Sequence, residues 1–170
     1  RQNNISDIVI VENGERGSSQ PFIGPDVRLV SPKINLGYGR GVNRGLAFLN
    51  TEFVVISNPD VIVHPGAVAE LLKVAQGDPL VAIVGPTIVT SKGEKYPSHR
   101  KFPSPVLAAL HAVLAPIWPS NPATKMYRSA NRDGSVDWVS GAFFLARRDA
   151  LELVGGFDES YFMFAEDMAL

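Results

Sequence analysis

Three short runs dominated by Val, Ile and Leu, each breaking into a polar stretch, constrain this chain more than any other feature. Asp7 to Val11, Val27 to Val30 and Phe53 to Ile56 have strand length, and the first and last are continuously apolar rather than alternating. That is the pattern of strands covered on both faces, as in a parallel sheet. Helical patterns stand between and after them. Val42, Leu46 and Leu49 recur at i, i+4, i+7, which places them on one helix face. Val68, Leu71, Leu72 and Ala75 follow Pro65-Gly66, and Gly77-Asp78-Pro79 stops that helix. Further along, Leu80 to Val84, Thr87 to Val89 and Val136 to Ala146 read as strands. Arg148 to Val154 reads as a short helix capped by Gly155-Gly156, and a last helix starts near Phe164. The alternation predicts an α/β domain with a mostly parallel central sheet. Residues 96–128, rich in Pro, aromatic and basic side chains, interrupt it as an insertion with one helix, Pro105 to Leu114. This insertion reads either as a buried flap or as an acceptor-side or membrane-side element, with Arg100, Lys101 and Arg128 as its candidate cations.

Composition narrows the function. The 170 residues are 45% hydrophobic and 19% charged, enough for one globular domain with its own core and too apolar for a disordered chain. Sixteen Lys and Arg against seventeen Asp and Glu leave a net charge of -1, so no general basic field favours nucleic acid. The absence of Cys removes disulfides, thiolate metal sites and cysteine nucleophiles, and it fits a reducing compartment. The longest apolar stretch, Val106 to Trp118, is broken by His111 and Pro116 and is too short to span a bilayer. The chain starts at Arg1 and stops at Leu170 within an apparent helix turn, so we expect a domain truncated at both ends.

In an open α/β sheet, ligands bind beyond the carboxyl ends of the strands. The groups there are Glu12-Asn13, Asn35 and Asn58-Pro59-Asp60, an acidic and amide-rich rim. Asp60 either holds a hard divalent cation that also binds phosphate oxygens or simply opens a turn after Asn58-Pro59. Gly37, Gly39, Gly41 and Gly45 fit no register of G-x-G-x-x-G, and no Walker lysine follows. They either bring backbone close to a phosphate or sugar or serve helix–sheet packing. Glu166-Asp167 opens the last helix, where a carboxylate could accept a hydroxyl proton or merely complement the helix dipole. His64, His99 and His111 lack metal-ligand spacing, and no G-x-S-x-G elbow occurs.

Taken in order, these segments resemble the inverting nucleotide-sugar glycosyltransferases of the GT-A fold, family 2. Glu12-Asn13-Gly14 is similar to that family's V-D-N element, and Asn35-Leu36-Gly37-Tyr38-Gly39 with Asn43 to its N-x-G-x-G-x-x-x-N segment. Asn58-Pro59-Asp60 stands for its D-x-D-type metal motif, with only the last residue acidic. Trp138-Val139-Ser140-Gly141 resembles the acceptor-side W-x-x-G element, and Gly155-Gly156-Phe157-Asp158-Glu159 and Glu166-Asp167 the G-G-F-D-E and E-D elements. Ala169 occupies a place often acidic in the family.

The resemblance implies a single GT-A nucleotide-sugar-binding domain over residues 1–170. It implies donor contacts by Glu12, Asn13, Asn35, Gly37, Gly39, Asn43, Asn58 and Asp60, and Mg²⁺ or Mn²⁺ on Asp60. It implies acceptor contacts by Trp138, Ser140, Gly141 and Arg100, and catalysis by Asp167 as base with Glu166 beside it. Tyr96-Pro97-Ser98, His111 to Leu114, Pro116 to Pro119, Asn121-Pro122 and Tyr127-Arg128 look most like actinobacterial rhamnosyltransferases that act on N-acetylglucosaminyl-diphospho-polyprenol in building a cell-wall linker. That likeness implies a dTDP-rhamnose donor, a lipid-linked glycan acceptor, and a cytoplasmic location at the inner face of the plasma membrane with peripheral membrane association. The alternative is a sugar-nucleotide or glycan-binding module of the same fold without activity.

Overall fold

The structure is a computed structural model that describes residues 5–14, 24–100, 102, 104–122, 124 and 134–170, with Arg100 described in its backbone only. Lys101, Tyr127 and Arg128 lie outside the described residues, as does most of the loop between the first two strands. In chain order the elements are β1 (Ile8–Val11), β2 (Val27–Val30), α1 (Tyr38–Leu46), β3 (Phe53–Ser57), α2 (Ala67–Gly77), β4 (Ile83–Val84), β5 (Ile88–Val89), β6 (Lys95–Tyr96), β7 (His99–Arg100), α3 (Pro105–Leu114), β8 (Trp138–Val139), β9 (Phe143–Arg147), α4 (Arg148–Val154) and α5 (Glu166–Ala169). They fall into two compact units, one of Arg1–Pro86 with Gly141–Leu170 and one of Thr87–Ser140.

In the first unit β1 and β2 pair in parallel, Ile8 opposite Val27 through Val11 opposite Val30. A three-stranded sheet has the order β3-β9-β4. Here the pairing departs from a uniformly parallel layout: β9 runs antiparallel to both neighbours, with Phe53 opposite Arg147 and Ile83 opposite Ala146. β3 and β4 therefore share one direction through a reversed strand between them. A run such as Phe143-Phe144-Leu145-Ala146 reports burial on both faces but carries no sign of direction. The long strand expected from Val136 to Ala146 is also two strands, because the chain turns at Gly141-Ala142 between β8 and β9.

The core gathers on β9. Phe143, Phe144, Leu145 and Ala146 are at most 4% exposed, and around them Val54, Ile56, Val68, Leu71, Ala75, Leu151 and Phe157 are buried. Each large apolar side chain so buried contributes roughly 1.5–3 kcal/mol. α2 packs on β4 and β9 through Val68, Leu71 and Ala75, as its helical spacing predicts. α4 ends at Gly155, whose left-handed φ of 82° closes the helix while the Gly156 N–H returns to the Leu151 carbonyl at 2.8 Å.

α1 corrects an expectation. Val42, Leu46 and Leu49 are only half-buried, and the fully buried residues of this helix are Gly39, Gly41 and Gly45. A methyl group on Gly45 would stand 3.0 Å from Val11 Cγ2, and one on Gly41 3.3 Å from Asn13 Nδ2. The helix lies so close to β1 that a side chain at either position would push its neighbour aside. For Gly41 and Gly45, helix–sheet packing is the reading these contacts support, whereas Gly37 and Gly39 meet Phe162 and Phe157 instead.

In the second unit β5 and β6 form an antiparallel hairpin, and β7 pairs antiparallel with β8, His99 opposite Val139. α3 starts as its sequence predicts, with Ser104 Oγ accepting from the Leu107 N–H at 3.1 Å and Pro105 in the first turn. No helix among the described residues is long and apolar enough to cross a membrane.

Two glycines give opposite expected outcomes in urea unfolding. Gly45→Val should destabilise by about 1–3 kcal/mol, because the added carbons overpack Val11. Gly77→Ala, at a helical position with nothing within 4 Å of the added methyl, should stabilise by about 0.4–1 kcal/mol.

Candidate active site

The polar residues that follow β1 and β3 meet others in a hydrogen-bonded series. After β1, Glu12 is buried at 5% exposure, its backbone N–H donating to the Val30 carbonyl and its carboxylate accepting from Ser31 Oγ at 2.9 Å. Asn13 turns toward the entry of α1: its amide donates to the Gly37 carbonyl at 2.6 Å, and its Oδ1 accepts from the Leu36 N–H at 2.8 Å. Asn35 Oδ1 accepts from the Gly37 N–H at 2.9 Å. Gly37 holds a φ of 81°, and a side chain there would collide with the Phe162 carbonyl, which accepts from the Tyr38 N–H at 3.0 Å. Gly here serves both a left-handed backbone and a close approach.

Tyr38 then crosses to the turn before β9. Its hydroxyl donates to the Gly141 carbonyl, and its ring meets Phe157 edge to face with centroids 5.8 Å apart. Gly141 itself is buried against the Tyr38 ring. The Gly141 N–H donates to Asp167 Oδ2 at 3.0 Å. One residue on, the Ala142 carbonyl accepts from the Asn58 N–H at 2.8 Å. Hydrogen bonds thus link Asn13 to Gly37, Tyr38 to Gly141 and Gly141 to Asp167, and the Asn58 backbone reaches the neighbouring Ala142, although these residues span nearly the whole sequence.

Asp167 and Glu166 enter α5 through Phe164 and Ala165, both non-glycine residues at φ 68°. Left-handed backbone costs such residues roughly 1–2 kcal/mol each, and strain of this kind collects where the fold over-determines a functional geometry. Glu166 is 7% exposed, and its Oε2 has no hydrogen-bond partner among the described residues. Burial, reinforced by the negative charges of Glu166 and Asp167, pushes the Tyr38 phenol well above its ordinary value. Tyr38 therefore stays a neutral donor beyond the pH at which an ordinary tyrosine ionises.

Asn43 has a different setting from Asn13. Its amide donates to the Phe157 carbonyl at 2.9 Å and to Glu159 Oε1 at 3.2 Å, and its Oδ1 accepts from the Phe157 N–H at 2.9 Å. It clasps the loop after α4, and Gly39 packs on Phe157 beside it. Asp60 is exposed, two residues beyond Asn58, and makes no hydrogen bond or ion pair with the described residues. No three His, Cys, Asp or Glu side chains among the described residues form a metal cluster. A lone hard oxygen donor suits an ion that fills its remaining positions with phosphate oxygens and water, as Mg²⁺ does.

Trp138, Ser140 and Arg100 belong to the second unit. Trp138 and Arg100 are partners across β7 and β8, and the Ser140 N–H donates to the Ser98 carbonyl at 2.7 Å. Tyr38 is the participant that motif reading passed over. A large aromatic residue between Gly37 and Gly39 was its only signal.

Comparison with known proteins places the chain among sugar-transfer proteins. The sequence model described as glycosyl transferase family 2 matches residues 5–155. The N-acetylglucosaminyl-diphospho-decaprenol L-rhamnosyltransferase of Mycobacterium tuberculosis is 40% identical over 96% of this chain and 59% of its own length. The rhamnosyltransferase WbbL of Escherichia coli is 26% identical over 79% of this chain and 52% of its own. This chain thus spans little more than half the length of these curated relatives. Among solved structures, the mannosyltransferase PcManGT of Pyrobaculum calidifontis, in complex with GDP-Man and Mn²⁺, superposes with a TM-score of 0.58 at 20% identity, over 98% of this chain and 43% of that one. That likeness is one of fold.

Tyr38→Phe keeps the ring and deletes one bond to a buried carbonyl, so unfolding stability should fall by about 1–3 kcal/mol at neutral pH. The folded-state pKa lies above the unfolded value of 10.0, so stability is intact below pH 10.0 and is lost as pH climbs toward the raised value. Urea titrations across that alkaline range should show a shallower loss for Tyr38→Phe than for wild type.

Proposed function

The chain belongs to glycosyl transferase family 2, and from that premise we propose that its parent protein is an inverting hexosyltransferase that moves L-rhamnose from dTDP-rhamnose to N-acetylglucosamine on a polyprenyl diphosphate. The observation that carries the reading is the hold on Asp167. One carboxylate oxygen is fixed by the Gly141 N–H, and Gly141 is itself pinned through its carbonyl by Tyr38. A base oriented through backbone in this way has its second oxygen available for an acceptor hydroxyl.

The reaction is a single in-line displacement. Asp167 accepts the proton of the acceptor hydroxyl while that oxygen bonds to the anomeric carbon, and the bond from that carbon to the dTDP oxygen breaks on the opposite face. The sugar leaves with inverted configuration and the nucleoside diphosphate departs with the bonding pair. Asp60 would hold Mg²⁺ or Mn²⁺, which supplies positive charge to the departing diphosphate when bound. Glu12, Asn13, Asn35, Gly37 and Asn58 form the donor-side wall. Asn43 acts on that wall by fixing Phe157, on which Gly39 packs. Glu166 sits beside the base with one buried oxygen unmatched, a group that a bound hydroxyl or water would satisfy. Trp138, Ser140 and Arg100 are assigned to the acceptor, with residues 96–128 as the acceptor or membrane side. Cell-wall linker synthesis at the cytoplasmic face of the membrane follows from this choice of acceptor.

In the full-length protein, Asp167→Asn should lower transfer by about 10²–10⁴-fold and leave dTDP binding in the presence of Mg²⁺ unchanged in calorimetry. Retained turnover would remove Asp167 as the base. Asp60→Ala should weaken dTDP binding with Mg²⁺ or Mn²⁺ and leave metal-free binding as it was. Identical titrations for the variant and wild type would take the cation away from Asp60. Donor binding without transfer to any acceptor would point to the non-catalytic alternative.

A further inference from the structure

Tyr38 touches both chain segments whose meeting sets the carboxylate of Asp167. Its backbone N–H donates to the Phe162 carbonyl at 3.0 Å, five residues before Asp167 on the approach to α5. Its hydroxyl donates to the carbonyl of Gly141, the residue whose N–H holds Asp167 Oδ2 at 3.0 Å. One residue thus spans from the segment that carries the base to the backbone that orients it.

The ring between those two bonds is itself fixed. It meets Phe157 edge to face, and Phe157 is 1% exposed and bonded through both its N–H and its carbonyl to the Asn43 side chain. A methyl group on Gly141 would stand 3.1 Å from Tyr38 Cε1 and 3.2 Å from its hydroxyl oxygen, so ring and backbone are already in close contact. On the helix side Tyr38 follows Gly37, which Asn13 holds by its carbonyl and Asn35 by its N–H. Few torsions separate a tyrosine ring from its backbone, and packing and hydrogen bonds restrain them at both ends.

Packing alone would be served by phenylalanine. The hydroxyl adds the bond to Gly141, and a part-buried hydroxyl is costly without such a partner. Gly141 needs that bond more than its neighbour does. Ala142 is tied by the Asn58 N–H just after β3 and leads straight into the buried strand β9, whereas Gly141 has no side chain to pack and the widest backbone freedom of any residue. Once the hydroxyl is removed, the backbone at Gly141 is free to turn, and the N–H that orients Asp167 turns with it.

We propose that Tyr38 is the positioning residue of the base: its hydroxyl, donated to the Gly141 carbonyl, sets the Gly141 N–H against Asp167 and so leaves the second carboxylate oxygen aimed at the acceptor hydroxyl. Tyr38 transfers no proton itself, because its hydroxyl hydrogen is committed to that carbonyl. This deepens the proposed function and rests on its assignment of Asp167 as the base.

The test uses the full-length protein with dTDP-rhamnose and a short-chain N-acetylglucosaminyl diphosphate lipid. Tyr38→Phe should lower kcat by about 10–10²-fold and leave the donor KM and the affinity for dTDP within about twofold of wild type, the pattern of a misplaced catalytic group rather than of lost binding. In the Asp167→Asn background the same change should cost no more than about twofold, because a residue that acts through the base has nothing left to position. Replacing Tyr38 by para-aminophenylalanine, which restores a donor on the same ring, should recover most of the lost rate. Amide exchange at Gly141 should quicken by at least about tenfold in Tyr38→Phe, beyond any change at the amides of β9.

Wild-type kcat in Tyr38→Phe, or an equal loss from that change with and without the Asp167 carboxylate, would overturn the proposal and leave the base in place. A lowered rate that the amino analogue does not restore, with Gly141 exchange unchanged, would overturn it too and reduce Tyr38 to packing. Full turnover in Asp167→Asn would remove the base and this role together. If no acceptor is glycosylated at all, the rhamnosyltransferase reading falls, and exchange at Gly141 decides the rest: quickened exchange keeps Tyr38 as the hold on the partner of Asp167, and unchanged exchange overturns it.

Discussion

Burial of β9 between β3 and β4 is the constraint on which the first unit depends. Four consecutive side chains, Phe143 to Ala146, are almost wholly removed from water, so both faces of the strand are committed, and antiparallel ladders hold it on both edges. A strand engaged on all four sides has no freedom to slip its register, because a one-residue shift would exchange the two faces. Its two ends are therefore fixed points. At the far end the Arg147 guanidinium donates to the Ala75 carbonyl at 2.7 Å and lies 4.7 Å over the Phe53 ring, tying α2 and β3 to the same strand.

The near end of β9 is where the residues proposed for the chemistry gather. Gly141 and Ala142 precede the strand directly, so their peptide groups inherit its rigidity. Those groups are the partners of Tyr38, Asp167 and Asn58. Catalytic geometry tolerates only small errors in position, and a carboxylate bonded to the backbone of a buried strand's first turn is well placed to meet that demand. The left-handed pair Phe164-Ala165 shows the cost of bringing α5 to this point. α1 contributes through closeness of a different kind: with hydrogen alone at Gly41 and Gly45, the helix settles onto β1 and brings Tyr38 and Asn13 to the same turn.

Much of this was legible in the residues. Periodicity and capping located α2, α3 and α4, since helix spacing, Pro at a start and Gly at an end are local signals. Continuous apolar runs located β1, β3 and β9. The motif residues Asn13, Gly37, Asn58, Gly141 and Asp167 were each singled out, and hydrogen bonds pair Asn13 with Gly37 and Gly141 with Asp167 and bring the Asn58 backbone to Ala142. What stayed hidden has one cause. The reversed direction of β9, the break at Gly141-Ala142, and the glycine face of α1 all depend on residues distant in sequence. Val42, Leu46 and Leu49 obey the helical period, yet a helix pressed against a strand buries its smallest residues rather than its most apolar ones. Asn43 reads as a ligand contact by motif, and the protein groups that hold it, Phe157 and Glu159, lie more than a hundred positions away.

The sequence by itself determined the α/β class, the apolar runs that become the core and the residue types along the rim. These are properties of composition and short-range order, which chain chemistry sets before any long contact forms. Only the tertiary structure decided which of those residues meet. It holds the Tyr38 phenol neutral to higher pH than an ordinary tyrosine, because burial beside two carboxylates disfavours the phenolate. It made Gly141 the joint between Tyr38 and Asp167, because the strand that follows Gly141 is buried on both faces and paired on both edges.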